Sequence, residues 1–333
     1  VSVGWGFVGT GGIAATVAQA LELVPGGRLV AVASRQAERA ARFAADHGPG
    51  VHPYGDVGAM LADPAVDAVY VATTHPQHHA PAKAALLAGK AVLVEKPMTV
   101  SLAATRDLLE TAAQRSVFCM EAYWTRFLPG TLALLELLDR GDVGQPHGLH
   151  ADFGFPAPPS LARFHDPAIG GGSLFDLGPY PVGLALTLFG TPRTVRATGS
   201  LADSGVDRQV GLALDWPGGQ VAALSTTMVA RTPSRAWIEA GEGWVEVASP
   251  LPAAPGFTVH AQGPDGTEHV RVHDHAVAHG HRFMLEHVHE CLAAGRTSSP
   301  LVTPRFSLDL AAVFEAAVEQ LGITRALEDR GAR

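Results

Sequence analysis

Lys90-Ala-Val-Leu-Val-Glu95-Lys96-Pro97 is the stretch whose reading decides the fold of the first third of this chain. Gly89 closes a helical run, and Ala91-Val-Leu-Val94 is a short apolar run suited to a parallel strand covered on both faces. At its carboxyl end stand an acid, a base and a proline. Doubly wound sheets bind ligands outside the carboxyl ends of their strands. Lys96 is therefore placed to reach a ligand, and Pro97 to fix where it points. Alone, Glu-Lys-Pro is an ordinary solvated loop; the surrounding segments change that reading.

Upstream, residues 1–8 form a strand candidate followed by Gly9-Thr10-Gly11-Gly12-Ile13-Ala14. This is G-x-G-x-x-A between a strand and a helix. Its small residues permit a tight turn, close approach of a pyrophosphate to the backbone, and free N–H groups at the helix start. The helix runs to about Val24, and Arg28–Ala33 is the second strand. An acid at the end of that strand would bind the ribose 2′-hydroxyl of NAD. Here Ser34 and Arg35 stand instead, with Arg39 one turn on. A hydroxyl and two guanidiniums suit a 2′-phosphate, so NADP is expected rather than NAD; otherwise both arginines are solvent-facing helix residues.

The alternation continues with a helix at 36–46, a strand at 51–54, a helix at 57–61 and a buried strand at 66–72. Thr73-Thr74-His75-Pro76-Gln77-His78-His79 follows, small and polar enough at its start to line the nicotinamide side of a cleft. His78 and His79 are adjacent and cannot share a helix face, which argues against a metal. A helix at 101–114, capped by Ser101, and a strand at 117–120 complete six strands, one dinucleotide-binding domain over 1–122. At its exit Tyr123, Trp124 and Arg126 are either hinge packing or the rim of a cleft.

The pattern changes in 123–333. A helix at 131–139 places Leu132, Leu135 and Leu138 on one stripe, and strands are expected at 147–155, 194–200, 207–215, 220–228, 234–240 and 243–248. Turn signals between them indicate a large, mostly antiparallel open sheet, covered on one face and free on the other for a dimer partner. Residues 250–282 read as loops. The helix 304–321 has Thr303 as cap, Pro304 in its first turn, and Phe306, Leu310, Val313, Phe314, Ala317 and Leu321 on its apolar face.

A helical segment from Ser173 to Leu186 interrupts the sheet region, with Asp176 and Tyr180 at i, i+4 and prolines at 179 and 181 that break or kink it. A carboxylate and a phenol opposite a lysine make an acid/base set. A phenol, with an ordinary pKa of about 10, needs a cation such as Lys96 beside it to titrate usefully. The bland alternative is a packed tyrosine and a capping aspartate. The histidines from His273 to His289 are dense, yet His287 and His289 lie away from the apolar face of Met284, Leu285, Val288, Cys291 and Leu292, so no metal is expected there.

The whole chain sets bounds. With 333 residues, 47% hydrophobic and 17% charged, it suits a globular protein of two domains. A net charge of −8 argues against nucleic acid and anionic membranes as partners. No apolar stretch is long enough to span a bilayer, and residues 1–8 read as a strand rather than a signal peptide. Two cysteines, Cys119 and Cys291, point to a reducing cytoplasm, with Cys119 in the core.

These motifs together resemble the Gfo/Idh/MocA oxidoreductases along nearly the whole chain. The resemblance is carried by Gly9–Ala14, by Thr74-His-Pro-Gln-His78, by Glu95-Lys96-Pro97, by Met120-Glu-Ala-Tyr-Trp-Thr-Arg-Phe127, and by the run from Phe164 to Tyr180. His-Pro-Gln-His and Glu-Ala-x-Trp-Thr-Arg-Phe are similar to the branch of NADP-dependent trans-1,2-dihydrobenzene-1,2-diol dehydrogenases, which also act as D-xylose 1-dehydrogenases. The resemblance implies a Rossmann domain and an α/β domain with a large open sheet, pairing through it as a homodimer or homotetramer. It implies cofactor contacts from the glycine turn, Ser34, Arg35, Arg39, Thr73, Thr74, His75, His78, Glu95, Lys96, Trp124 and Arg126. Lys96, Trp124, Phe155, Asp176 and Tyr180 then face a sugar, polyol or cyclic diol, with Pro97 in a cis peptide. Pro179 and Pro181 depart from the pattern.

The implied reaction is hydride transfer at a hydroxyl-bearing carbon. Tyr180 takes the hydroxyl proton, Lys96 lowers the phenol pKa, and Asp176 orients substrate or lysine; an alternative gives the proton transfer to Lys96. Two other functions fit the fold: a cofactor-binding sensor or co-repressor, and an NAD-dependent glycoside hydrolase. Lys96, Asp176 and Tyr180 together argue against the first, and the paired arginines against the second.

Overall fold

The computed structural model describes residues 2–263 and 265–324. Val1, which opens the expected first strand, and residues 325–333 of the expected second domain lie outside the described residues. Residues 2–124 and 279–308 form one compact unit, and 125–278 with 309–324 form another. The stretch 279–308 thus belongs with the first unit, a return of the chain that a single division after residue 122 does not contain.

In the first unit, strands β1 (Val3–Val8), β2 (Gly27–Ala33), β3 (His52–Tyr54), β4 (Ala68–Val71), β5 (Ala91–Val94) and β6 (Cys119–Glu121) alternate with helices α1 (Gly12–Leu21), α2 (Ala37–His47), α3 (Val57–Leu61), α4 (His79–Leu87) and α5 (Leu102–Arg115). All pairs are parallel, in the order β3-β2-β1-β4-β5-β6. The order reverses between β1 and β4, the crevice where such sheets bind ligands. Every residue of β1, β4 and β5 is buried, as a sheet with helices on both faces requires. Fully burying a side chain such as Leu93 or Val94 contributes about 1.5–3 kcal/mol. Ser101 caps α5, its hydroxyl accepting from the Ala104 N–H at 3.2 Å.

The second unit contains α6 (Pro129–Asp139), β7 (Pro146–Gly154), α7 (Ala162–His165), α8 (Ser173–Leu177), α9 (Pro179–Phe189), β8 (Thr194–Leu201), β9 (Asp207–Asp215), β10 (Val221–Thr227), β11 (Ala236–Ala240), β12 (Gly243–Val247), β13 (Gly256–Gln262) and β14 (Glu268–Asp274). The eight strands form one sheet in the order β14-β13-β12-β11-β7-β10-β9-β8. Only β7 and β10 pair in parallel. Helices α8 and α9 cover one face.

Three expectations change. Residues 250–282 hold two strands, not loops: β13, whose Phe257 and Val259 are buried, and β14, an edge strand whose alternate Val270 and Val272 are exposed rather than packed on a core. In α6 the buried leucines are Leu134, Leu137 and Leu138, while Leu132 is exposed. With leucine at 132, 134, 135, 137 and 138 the sequence offers two stripes, and packing selects one. The segment from Ser173 is two helices, α8 and α9, parted at Gly178, with Pro179 opening the second.

Helices α10 (His281–Ala293) and α11 (Pro304–Leu321) follow. Thr303 caps α11 through the Phe306 N–H at 3.2 Å. Phe306, Leu310, Val313, Phe314 and Ala317 are buried along it. In α10, His289 does not point away from the core. It is buried, and the indole N–H of Trp5 donates to its Nε2 at 3.0 Å. Trp5 is wholly buried in β1, and a buried indole N–H needs such an acceptor. No helix among the described residues is long and apolar enough to cross a membrane.

Candidate active site

The cradle for a dinucleotide lies at the β1–β4 switch point. Gly9 has φ +110°, and a Cβ there would lie 2.4 Å from the Ala72 carbonyl oxygen, so only glycine lets the two strand ends approach this closely. Gly11, at the start of α1, carries no side-chain cap, and a Cβ on Gly11 or Gly12 would meet nothing within 4 Å. The unpaired N–H groups of the first turn therefore border open space. Thr10 lies within this turn, and Ile13 exposes an apolar side chain beside it. Thr73, just past β4, has a buried hydroxyl with no hydrogen-bond partner among the described residues. This donor set fits a pyrophosphate and its ribose.

At the end of β2 the Ser34 hydroxyl accepts from the Gln36 N–H at 3.3 Å. Arg35 is exposed and donates from Nη2 to Gln77 Oε1 at 3.2 Å, and Thr74 donates to the same oxygen. Arg39 is exposed in the first turn of α2. Two guanidiniums stand where the second ribose of a dinucleotide is recognised.

Lys96 follows β5 and is 9% exposed. The Lys96–Pro97 peptide is cis, as the resemblance implies. Two buried carboxyls hold this loop. Glu95 accepts from the Tyr70 hydroxyl at 2.5 Å and from the Lys96 N–H at 3.2 Å. Glu121, at the end of β6, accepts from the Met98 N–H at 2.8 Å. Burial pushes the Glu121 carboxyl up to about 7, against the opposing pull of the Ser307 hydroxyl, the Met98 amide and the Lys96 charge.

His78 is fully buried, with Nδ1 3.0 Å from the Pro97 carbonyl and Nε2 3.2 Å from the Thr73 carbonyl. Burial pulls its pKa down to about 3. Both ring nitrogens are turned to backbone carbonyls, and the neutral ring, with its single N–H, donates to one of them, so His78 packs between the ends of β4 and β5. His75 packs edge-on against it at 5.8 Å.

In the second unit, Asp176 lies near the end of α8 and pairs with Arg163 at 3.3 Å. Tyr180, in the first turn of α9, sets its ring edge-on to Phe153 at 5.4 Å, and Phe153 in turn meets Phe155 at 6.0 Å. Phe155 also packs on the buried Phe164 at 5.5 Å. The start of α8 is fixed by Asp207 of β9, which accepts from the Ser173 hydroxyl and from the Leu174 N–H, both at 2.7 Å. Asp207 is wholly buried, and burial pushes its carboxyl up to about 6. Gly172, with φ +120°, lies so close that a Cβ would overlap the Asp207 carboxyl.

The expected residues thus fall into two groups: the glycine turn, Thr73, Glu95, Lys96 and Trp124 in the first unit, and Arg126, Phe155, Asp176 and Tyr180 in the second. Four residues escaped the sequence reading: Glu121, Asp207, Arg163 and His281. His281 is buried in the first turn of α10 and stacks on Trp124 at 4.3 Å. Its signal was helical spacing, since 281, 285, 288 and 292 share a face. No group of three or more metal-ligating side chains occurs among the described residues.

Residues 3–123 match the model of an oxidoreductase family with an NAD-binding Rossmann fold, and 131–246 match the corresponding C-terminal domain. The class is therefore that of nicotinamide-dependent oxidoreductases. The chain belongs to the Gfo/Idh/MocA family. It is 34% identical over 326 residues to the trans-1,2-dihydrobenzene-1,2-diol dehydrogenase of Mus musculus, covering 96% of this chain and 97% of that one. Among solved structures it resembles the aldose-aldose oxidoreductase of Caulobacter crescentus complexed with glycerol, with a TM-score of 0.86 and 25% identity over 97% of this chain and 98% of that one. It also resembles a 3-ketoreductase from Actinomadura kijaniata in complex with NADP and TDP-benzene, with a TM-score of 0.84 and 25% identity over 98% and 99%.

Proposed function

We propose that this oxidoreductase moves a hydride between NADP and a secondary alcohol or hemiacetal carbon of a sugar, polyol or cyclic diol. The observation that carries the proposal is the joint presence, at the carboxyl ends of one parallel sheet, of an open glycine cradle and a clamped, buried lysine. The relatives support the substrate class, for their names concern a cyclic diol, aldoses and a keto group. Arg35 and Arg39 support NADP through the pairing of guanidinium with phosphate.

In this reading 1–122 holds the cofactor, with Thr73, Thr74, His75 and Glu95 at the nicotinamide end and Trp124 and Arg126 beside it. The region 123–333 supplies Phe155, Asp176 and Tyr180 to the substrate. When bound, the cofactor would supply a nicotinamide able to take the hydride from the carbinol carbon. Tyr180 takes the hydroxyl proton on its phenolic oxygen, so the substrate becomes a carbonyl. Lys96 stabilises the phenolate and donates to the reacting oxygen. Asp176, restrained by Arg163, orients the substrate.

The outer face of the large sheet carries a shallow hollow of about 560 Å³ lined by His150, Trp237, Glu239, Gly243 and Trp244. Two half-buried tryptophans on an open sheet favour a second copy of the chain as partner, as a homodimer or homotetramer. Two free, buried cysteines suit a cytoplasmic setting.

The test is a panel of aldoses, polyols and cyclic trans-diols, each offered with NADP and with NAD while reduced nicotinamide is followed. Turnover with at least one class, faster with NADP, is the expected result. Binding of NADP without turnover of any member would overturn the reading in favour of a sensor.

A further inference from the structure

His281 is 9% exposed, and its Nε2 is buried with no hydrogen-bond partner among the described residues. Its ring stacks on Trp124 at an interplanar angle of 23°. Buried polar nitrogens are almost always satisfied, so one without a partner, stacked on Trp124 and near the Lys96 charge, calls for an explanation. Lys96 supplies a positive charge in the same neighbourhood. Burial, and then that charge, hold the ring's pKa down to about 4, so the imidazole is neutral at pH 7. A neutral ring offers one donor or one acceptor at Nε2, according to tautomer. A hydroxyl both donates and accepts, and so matches either; a carboxylate matches only the donor and an ammonium only the acceptor.

We infer that His281 reads a hydroxyl of the substrate other than the one oxidised, and so is a specificity-determining residue that favours polyhydroxylated rings over diols with an apolar remainder. The inference rests on the proposed dehydrogenase reading and deepens it. In this reading Trp124 is an apolar wall, and the His281 ring stacked on it is the polar point beside that wall. A site built around a hydrogen bond to a hydroxyl rejects the analogue that lacks it far more strongly than an apolar pocket does.

The experiment compares wild type with His281→Leu and His281→Gln, using an aldose from the panel and its monodeoxy analogues. His281→Leu is expected to lower kcat/KM for the aldose by roughly 100-fold. One deoxy analogue should show a comparable loss with wild type, and little further loss with His281→Leu. His281→Gln, which keeps a donor and an acceptor, should recover part of the activity. Equal losses for the aldose and every deoxy analogue, at an unchanged melting temperature, would overturn the assignment. So would a weakening of NADP binding that accounts for the whole effect, which would place the partner on the cofactor. If wild type turns over no member of the panel, the dehydrogenase reading fails by itself. Calorimetric binding of the same sugars with NADP present then decides about His281. Weaker binding to His281→Leu supports it, and equal affinity or no sugar binding overturns it.

Discussion

The fold holds the Lys96 loop and the α8–α9 segment in the same way and from different distances. In the first unit Glu95 binds the N–H of its own neighbour, Lys96, and Glu121 binds Met98 from the adjoining strand. In the second unit Asp207 reaches from β9 to the start of α8, across 34 residues of chain. Each grip is a buried carboxyl that accepts backbone N–H groups, and in Glu121 and Asp207 burial raises the pKa. The first grip is made within one sheet between adjacent strand ends. The second depends on the tertiary packing of a helix against a strand. The lysine side of the chemistry is therefore secured by local order, and the tyrosine side by long-range packing.

The largest effect should come from removing what the first grip holds. Lys96→Met is expected to lower kcat by roughly 100-fold or more while the melting temperature stays near that of wild type. A variant that keeps full turnover would leave the Glu95–Glu121 clamp without a catalytic purpose.

The next effect distinguishes the second grip. Asp207→Ala strips both the Ser173 hydroxyl and the Leu174 N–H of their acceptor and should cost about 2 kcal/mol in denaturant unfolding. Asp207→Asn keeps an accepting oxygen and should cost less than half of that. Equal costs for the two variants would show that packing at Gly172, rather than the hydrogen bonds, fixes α8.

A smaller effect is expected at the cofactor. Arg35→Ala should weaken NADP binding by roughly 10-fold and leave NAD binding nearly unchanged, measured by calorimetry. Equal weakening of both would remove the 2′-phosphate from the account.

The smallest concerns pH. Glu121 sits at about 7 in the fold against an ordinary 4.5, so the folded state holds its proton more tightly than the unfolded chain. Its contribution to stability is complete below about 4.5 and is lost as the pH rises through about 7. Stability of Glu121→Gln should accordingly decline less than that of wild type over this window. Parallel curves would mean that the carboxyl stays ionised throughout.

The same contrast explains what was legible in the sequence. The parallel sheet, its glycine turn and the lysine at the end of β5 could be read because each is a local pattern: a buried run, small residues, then chemistry at a strand end. The expected NADP site rests on residues adjacent in the chain. What could not be read was pairing over distance. Nothing in Asp207 itself tells that it caps a helix begun 34 residues earlier, and nothing in Arg163 tells that it pairs with Asp176. In sequence His289 is set apart from the apolar face of its helix, yet it lies four residues after Leu285 and three before Leu292 and is buried, and its acceptor nitrogen is the partner that the buried Trp5 requires. The edge strand β14 escaped because its alternation is only two valines long, Val270 and Val272, set among polar residues.

The most direct measurement is steady-state turnover of Tyr180→Phe with NADP and a sugar or diol that the wild type oxidises, with NADP affinity measured in parallel. A fall in kcat of roughly 100-fold or more at nearly unchanged NADP affinity is the predicted result. Undiminished turnover would contradict it and remove the phenol from the proton transfer.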